Sequence, residues 1–425
     1  MRLNAPRPFS GPTRQPGNHD RSHPLNREVW ITGVGAITGL GPTARHLSEG
    51  LRGERSAVTD DATLEGMPVA RAPALLPVPV TTATQLDRCG SLFFSAAAEA
   101  WESAALDEQP KDADRFGVVE GSSLGHISDL LAEHRAMMEG RACAHVDPES
   151  VVKFMTGAGG SQFALLHGIR GPVMSVSAGS VSGTCAIGEA IHTVMRGEQE
   201  VIVAGGAESP LAWEVVEAFR RSGVLADGAK PGARSRPFDQ DRRGMLLGEG
   251  AAAVVIESAD HARARGARCR AVPRGFVFVT DPRFMTGSNP NGDGISTAMS
   301  RLLREREPLT IDWIVAHGTG TPTNDAAEVR ALHLVFDGDL ARLPVTALKP
   351  AVGHCLGASG AIEAVAAILA MEEHFIPAVL NTRALDPALP VFDLVTHVRE
   401  AEMRTALLLS ESFGGRAAAL AIQAA

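Results

Sequence analysis

The sequence lacks an excess of basic residues. It has 40 lysines and arginines against 49 aspartates and glutamates, which gives a net charge of −9. Because nucleic-acid phosphates are bound by clustered lysine and arginine, this balance argues against general nucleic-acid binding. An acidic partner would have to meet a local basic patch on this surface.

Cysteine is scarce and follows no ligand or disulfide pattern. The cysteines are scattered, odd in number and free of any CxxC pair. This spacing disfavours a disulfide framework and a zinc site, so we predict a protein of the reducing cytoplasm that binds no metal. The five are Cys89, Cys143, Cys185, Cys269 and Cys355.

Long apolar runs are also missing. The longest covers residues 361–371, is interrupted by Glu363 and is too short to span a bilayer. Residues 1–27 hold five prolines and several arginines but no apolar stretch of the kind found in a secretory signal. We therefore predict no membrane association and interpret residues 1–27 as a disordered or loosely attached N-terminal extension.

The rest of the sequence is rich in regular apolar segments. With 425 residues, of which 44% are hydrophobic, the chain can bury a large core. Apolar segments at 173–177 and 201–204 are predicted as buried strands, and they flank a predicted helix at 181–196 with apolar residues at helical spacing. This order is typical of a parallel sheet covered on both faces.

The same order returns later in the chain. The second set consists of strand 313–316, helix 325–335, strand 345–348 and helix 358–373. We therefore predict two similar α/β halves, residues 28–270 and residues 271–425.

Shorter patterns complete the predicted layout. A strand at 29–31 is expected to enter a glycine-rich turn at 32–35, and the segment 67–79, rich in proline and alanine, is expected to be a surface loop. Residues 407–410 and 417–422 are separated by Phe-Gly-Gly, which predicts a closing hairpin.

One short segment is a candidate for chemistry. Residues 176–183, with the sequence VSAGSVSG, lie where a predicted strand ends and a helix begins. A side chain on such a turn is held out of the sheet beside the positive end of a helix dipole, which suits a nucleophile or a group that faces an anion. Ser180 is the candidate, although small residues at such a turn also fit plain packing.

Two histidine motifs strengthen that interpretation. AHGTGTP at 316–322 follows one predicted strand, and KPAVGH at 349–354 follows the next strand of the same half. Open α/β sheets place their sites at the carboxyl ends of parallel strands, so His317 and His354 are expected to meet in space. Either histidine alone would also fit a structural role in a loop.

These segments resemble the β-ketoacyl synthases of fatty acid and polyketide assembly. The resemblance covers nearly all of residues 29–420. It implies an α/β fold, the five-layered αβαβα thiolase fold with two duplicated halves, a site between the halves, and a dimer. The motifs that carry it are TGVG at 32–35, SRPFD at 235–239, GEG at 248–250, NDAAE at 324–328, FGG at 413–415 and the two histidine motifs.

The resemblance also implies roles for single residues. The family's cysteine nucleophile falls on Ser180, its catalytic histidines on His317 and His354, and its active-site lysine on Lys349. The positions that hold the phosphopantetheine arm of an acyl carrier protein, the only cofactor implied, fall on Thr319 and Thr321, and the gating aromatic falls on Phe413. Glu328 or Glu363 could pair with Lys349, and a carrier-docking patch is expected at Arg220, Arg221, Arg234 and Arg236.

The chain departs from the family pattern at two places. Ser180 stands where a cysteine is expected, and Glu411-Ser412 stand where the family usually shows Phe-Gly. A cysteine thiol ionises near pH of about 8.5, whereas an alcohol ionises far higher and is a poor nucleophile without an adjacent base. The second departure puts the shape of the acyl pocket in doubt.

Loss of carbon dioxide from a malonyl thioester needs no nucleophile, because two histidine donors can stabilise the enolate oxygen. The chain thus looks like the decarboxylases of polyketide β-branching cassettes, which supply acetyl-carrier protein to an HMG-CoA-synthase-like enzyme. Two alternatives stay open. One is a chain-length-factor-like partner of a cysteine-bearing ketosynthase, and the other is an acyltransferase that forms an ester at Ser180.

Overall fold

The computed structural model describes residues 27–75, 86–107, 109–139, 150–153, 155–304 and 309–425. The strands are β1 Val29–Thr38, β2 Val58–Asp61, β3 Met67–Ala70, β4 Phe116–Gly121, β5 Val173–Val176, β6 Val201–Glu208, β7 Gly250–Ser258, β8 Ala271–Thr280, β9 Trp313–Val315, β10 Pro344–Thr346, β11 Phe375–Ile376, β12 Asp393–Leu394, β13 Arg399–Glu400, β14 Thr405–Ser412 and β15 Arg416–Ala424. The helices are α1 Ala44–Arg52, α2 Arg88–Ser103, α3 Ile127–Met138, α4 Ser150–Lys153, α5 Ala158–His167, α6 Ser182–Met195, α7 Trp213–Arg221, α8 Ala259–Ala264, α9 Asp293–Arg304, α10 Pro322–Phe336, α11 Lys349–Val352 and α12 Ser359–Glu372.

Within the described residues, eleven strands form one mixed sheet in the order β12-β10-β9-β14-β15-β8-β1-β7-β6-β4-β5. The parallel pairs β4–β5 and β4–β6 lie toward one end, and β9–β10 and β9–β14 lie toward the other. The two ends are joined where Ile31 of β1 pairs with Ala271 of β8. Each end therefore has the strand arrangement predicted for one half.

Two buried helices lie between the ends of the sheet. Helix α6 contacts β4, β6 and β7 on one side and β8 and β15 on the other, and α12 likewise contacts both sets of strands. A helix that is apolar all round has to be buried, and every residue of α12 from Ser359 to Met371 is buried. With α2 and α5 outside one end and α9 outside the other, the chain has the five layers that the family resemblance implied.

The predicted glycine-rich turn at residues 32–35 is wrong, because these residues lie inside β1. The glycines serve close packing instead. A Cβ atom on Gly33 would lie 2.1 Å from the carbonyl oxygen of Ala100, and one on Gly35 would lie 2.2 Å from that of Ala96. Helix α2 therefore approaches the strand so closely that no side chain fits between them.

Two further expectations need correction. The segment predicted as a loop from residue 67 begins with β3, which pairs with β2, and its residues 76–79 lie outside the described part of the chain. The strand predicted as buried near residue 173 is β5, at the end of the sheet, where Val173 and Met174 are each 38% exposed. An apolar run indicates burial only where a second strand or helix covers it.

Other predicted elements are confirmed. Strands β14 and β15 pair antiparallel as the closing hairpin, and α6, α10 and α12 begin and end within a few residues of their predicted bounds. Of the predicted N-terminal extension, residues 1–27, only Arg27 is described, and it pairs with Glu200; residues 1–26 and Cys143 lie outside the described residues. In the part of the chain that the structure describes, no helix combines the length and the apolar character that crossing a membrane requires.

Candidate active site

The turn between β5 and α6 places Ser180 in a cavity. Gly179 adopts a positive φ of 68°, which an L side chain rarely takes. Ser182 then locks the turn, since its hydroxyl donates to the carbonyl oxygen of Gly179 at 2.6 Å and accepts from the backbone N–H of Ala178 at 2.8 Å. The chain can therefore reverse into α6 while the Ser180 side chain projects outward.

His354 is the polar partner of the Ser180 hydroxyl. Its Nε2 lies 3.2 Å from the Ser180 hydroxyl oxygen, and its Nδ1 lies 2.9 Å from the hydroxyl oxygen of Ser359. The ring is thus held between two hydroxyl groups rather than between a hydroxyl and a carboxylate. A Ser-His-Asp triad uses the carboxylate to stabilise the imidazolium that forms when histidine accepts the serine proton. This arrangement lacks that charge and is poorly suited to activating Ser180.

His317 approaches the same point from the end of β9. The backbone N–H groups of His317 and Gly318 donate to the Glu328 carboxylate at 2.6 and 2.9 Å, which fixes the chain where it leaves the strand. The imidazole rings of His317 and His354 lie edge to face, with centroids 5.5 Å apart and an angle of 83°. The predicted meeting of the two histidines is observed.

Both imidazoles are held neutral. Burial lowers the pKa of His317 well below its usual range, and the charge of Lys349 adds to the effect. Burial, followed by the charge of Lys349, lowers the pKa of His354 in the same way. Among the described residues, no group pairs with Nδ1 of His317. A buried lone pair without a partner costs less free energy than a buried N–H without one. We therefore assign the lone pair of His317 to Nδ1 and its proton to Nε2.

Lys349 lies behind the histidines in an ion pair. Its Nζ is 2.8 Å from a carboxylate oxygen of Glu363, and both side chains are almost completely buried. Burial raises the pKa of Glu363 and the charge of Lys349 opposes that shift. Of the two carboxylates that the sequence left open as partners, Glu363 therefore pairs with Lys349, while Glu328 holds the His317 backbone.

Most of the predicted site residues share one cavity of about 260 Å³. Thr319 and Thr321 line it, with their hydroxyl oxygens 2.9 Å apart. Phe413 also lines it and is 42% exposed. Lys349 is the exception, because it lies behind the histidines. The other residues of the predicted set that line the cavity are Ser180, His317 and His354.

Glu411 and Ser412, the second departure from the family pattern, also line this cavity. Ser412, the last residue of β14, accepts a hydrogen bond at 2.9 Å from the backbone N–H of Ser180. Glu411 accepts from the Ser288 hydroxyl at 3.4 Å, and burial raises its pKa to about 7. The sequence marked both positions as unusual but gave no sign of these contacts, since the partners are distant in the chain.

The predicted docking patch is weaker than its arginines suggest. Arg220 and Arg221 both pair with Glu217 on the same helix, at 2.6 and 2.7 Å, so one carboxylate offsets part of their charge. Arg234 donates to the carbonyl oxygen of Ala233. A carrier protein that docks here would have to compete with Glu217.

Comparisons with known proteins agree with this geometry. Residues 26–262 match the family model "Beta-ketoacyl synthase, N-terminal domain", and residues 270–383 match "Beta-ketoacyl synthase, C-terminal domain". The chain is 32% identical over 408 residues to Nodulation protein E of Rhizobium sp. (strain N33), covering 94% of this chain and 100% of that protein. It is 30% identical over 407 residues to 3-oxoacyl-[acyl-carrier-protein] synthase 2 of Staphylococcus aureus (strain COL), covering 93% of this chain and 98% of that protein.

Solved structures give the same result. A chain of the ishigamide ketosynthase/chain length factor superposes with a TM-score of 0.86 and 29% sequence identity, covering 94% of this chain and 100% of that one. The predicted thiolase-type fold is therefore confirmed. Because both family domains match in order and relatives at 30% identity or more are covered almost completely, this chain belongs to the β-ketoacyl synthase family.

Proposed function

We propose that this chain decarboxylates a malonyl group carried by an acyl carrier protein, yielding acetyl-carrier protein without forming a carbon–carbon bond. One observation carries the proposal. Two buried, neutral histidines point into the cavity in which residue 180 offers an alcohol instead of a thiol. Decarboxylation needs donors for a negative oxygen and no nucleophile, which is what this cavity provides.

The proposed reaction has two steps. The bond between the carboxylate carbon and the neighbouring carbon breaks, carbon dioxide leaves, and the electron pair moves onto the thioester oxygen as an enolate. Nε2–H groups of His317 and His354 donate to that oxygen. The carbon then takes a proton from water, and the electron pair returns to form the acetyl thioester.

The remaining site residues have supporting roles in this proposal. The hydroxyl groups of Thr319 and Thr321 line the cavity and would hold the phosphopantetheine arm of the carrier. Phe413, exposed at the cavity, would act as its gate. Lys349 does not line the cavity; its charge adds to burial, the larger cause, in holding both imidazoles in the neutral form, in which one ring nitrogen carries a proton to donate.

The proposed setting is cytoplasmic polyketide β-branching. Acetyl-carrier protein would be the donor for an HMG-CoA-synthase-like enzyme. A homodimer is part of the proposal, because β5 ends the sheet with exposed Val173 and Met174 and, within the described residues, has a strand on one side only. A second copy that added a strand there would cover this apolar edge.

Intact-protein mass spectrometry tests the reaction. Malonyl-carrier protein incubated with the purified chain should lose the mass of carbon dioxide, and the chain itself should carry no acyl adduct. A His317→Ala/His354→Ala double variant is the matched control, because it keeps Ser180 and removes both donors. Malonyl-carrier protein that stays unchanged with the wild-type chain would refute the proposal.

A second candidate function is a chain-length-factor-like role. The observation that favours it is the similarity to the ishigamide ketosynthase/chain length factor structure, together with the exposed edge of β5. In that case the chain should co-purify as a stable heterodimer with a cysteine-bearing ketosynthase and leave malonyl-carrier protein intact on its own. A homodimer that decarboxylates alone excludes this candidate.

A further inference from the structure

The hydroxyl of Ser412 occupies a backbone donor at the candidate nucleophile. The N–H of Ser180 donates to it at 2.9 Å, across 232 positions of the chain. The contact is close on both sides of the peptide, because a Cβ atom on Gly179 would lie 2.1 Å from the same hydroxyl oxygen. Ser412 therefore packs directly on the turn that carries Ser180.

That N–H is the donor that covalent catalysis at residue 180 would need. When the side chain of residue 180 attacks a thioester carbonyl, the carbonyl oxygen becomes negative, and in serine proteases the backbone N–H of the nucleophile itself is one of the donors to that oxygen. Ser180 precedes the first residue of α6, so the helix itself does not use this donor. Removal of one oxyanion donor typically slows acyl transfer by about 10²–10³-fold.

We propose that Ser412 is a specificity-determining residue that prevents acyl transfer onto residue 180 by occupying its backbone N–H. This inference rests on the proposed function, since it explains how a decarboxylating site avoids becoming acylated by the thioester that it binds. The enolate oxygen lies at the histidines and does not require that donor. Ser412 thus blocks one half of the family's chemistry and leaves the other half unaffected.

The blocked step is the transfer of the acyl group from the pantetheine sulfur to residue 180. A bond forms between the side-chain atom of residue 180 and the thioester carbonyl carbon, and the bond from that carbon to the pantetheine sulfur breaks. The proton of residue 180 passes to the leaving thiolate through His354, which in the tautomer protonated at Nδ1 accepts it at Nε2, 3.2 Å from the Ser180 hydroxyl oxygen. Between the attack of residue 180 and the departure of the thiolate, the former carbonyl oxygen bears a negative charge. Because Ser412 occupies the N–H of residue 180, that N–H does not donate to this oxygen.

The test uses a thiol at position 180, so that nucleophile strength no longer limits the reaction. Full-length Ser180→Cys and Ser180→Cys/Ser412→Ala proteins are incubated with acetyl-carrier protein, and the acyl adduct is followed by intact mass in a single turnover. The double variant should acylate about 10²–10³-fold faster than the single variant. A merely structural role of Ser412 would slow the reaction when the residue is changed, whereas this role predicts a gain.

Ser180→Cys/Ser410→Ala is the matched control. Ser410 lies two residues earlier on β14, is buried, and bonds to the Thr184 hydroxyl at 2.8 Å instead of to the turn. This variant should acylate no faster than Ser180→Cys alone. Ser180→Cys/Ser412→Gly provides a second way to free the donor if the alanine variant is unstable.

Equal acylation rates with and without the Ser412 hydroxyl, including no acylation in either case, would overturn the inference. Failure of the proposed function gives a different result. Wild-type protein would then leave malonyl-carrier protein intact, whatever the acylation rates of the two thiol variants. The two readouts therefore separate the role of Ser412 from the decarboxylase assignment.

Discussion

The turn that carries Ser180 and the strand ends that carry the histidines supply opposite kinds of groups to one cavity. On the serine side, the side chain is an uncharged alcohol and its backbone N–H is already bonded to Ser412. On the histidine side, two imidazoles are neutral, buried and line the same cavity. The groups for covalent catalysis are weakened, whereas those for stabilising a negative oxygen are complete.

The two sides also differ in what supports them. The histidine side rests on the buried ion pair of Lys349 and Glu363, and the carboxyl group of Glu328 binds the backbone of residue 317. The serine side rests on hydroxyl groups, since Ser182 locks the turn and Ser412 bonds its N–H. Buried charges depend on their partners far more than hydroxyl groups do. Changes on the histidine side should therefore have the larger effects.

The largest effect is expected on stability. Lys349→Met leaves the Glu363 carboxylate buried without its cation, which should lower the free energy of unfolding by about 3–5 kcal/mol. Urea unfolding of the wild type and the variant measures this difference in the free energy of unfolding. On the serine side, Ser180→Ala should change the same quantity by less than about 1 kcal/mol.

The double variant Lys349→Met/Glu363→Leu is the control for that comparison. It removes both charges and should recover most of the lost stability, because apolar side chains of similar volume can replace a buried ion pair. If the single and double variants are equally unstable, the loss reflects packing around Lys349 and not its charge.

The next effect is on rate. His317→Ala and His354→Ala should each slow the decarboxylation of malonyl-carrier protein by about 10²–10³-fold, because each removes one donor to the enolate oxygen. Ser180→Ala should slow it by less than about tenfold, since no bond to residue 180 forms. Equal losses in all three variants would indicate nucleophilic catalysis by Ser180 and would erase the difference between the two sides.

The third effect is a pH dependence of stability. The folded chain keeps His317 neutral, whereas the unfolded chain takes up a proton there as the pH falls through about 6.5. The unfolded state binds more protons below that pH, so acid destabilises the wild type. Between pH of about 7.5 and 5.5, the wild type should lose about 1.4 kcal/mol more than His317→Asn. Parallel pH profiles for the two proteins would contradict the depressed pKa.

The sequence predicted which residues form the site better than it predicted the contacts between them. Strand ends and motif spacing were enough to bring His317, His354 and Ser180 together, because topology alone decides which loops share a sheet edge. The Ser412 and Ser359 contacts were not predictable, since a hydroxyl bonds to whatever lies within about 3 Å and that depends on packing. The family pattern marked position 412 as unusual, but only coordinates connect it to the backbone of residue 180.

The fold errors have a similar physical origin. The local pattern indicated that the chain is apolar at β5. It did not indicate that β5 ends the sheet, so the exposure of this strand was not predicted. The glycines near residue 33 fit a tight turn equally well in isolation. Their actual role is the close approach of α2, a contact about 65 positions away that no short window contains.

The smallest effect on rate is expected from the two hydroxyl groups that flank His354. Ser359 bonds to Nδ1 and orients the ring, whereas Ser180 lies at Nε2, where the substrate oxygen would bind. Ser359→Ala should therefore cost about 0.5–1.5 kcal/mol of transition-state stabilisation, or roughly a two- to twelvefold loss of kcat with little change in KM. Ser359→Thr keeps the hydroxyl and should restore the rate. Unchanged kcat in Ser359→Ala would mean that packing alone orients the imidazole. The hydrogen bond from Ser359 would then contribute nothing to the rate.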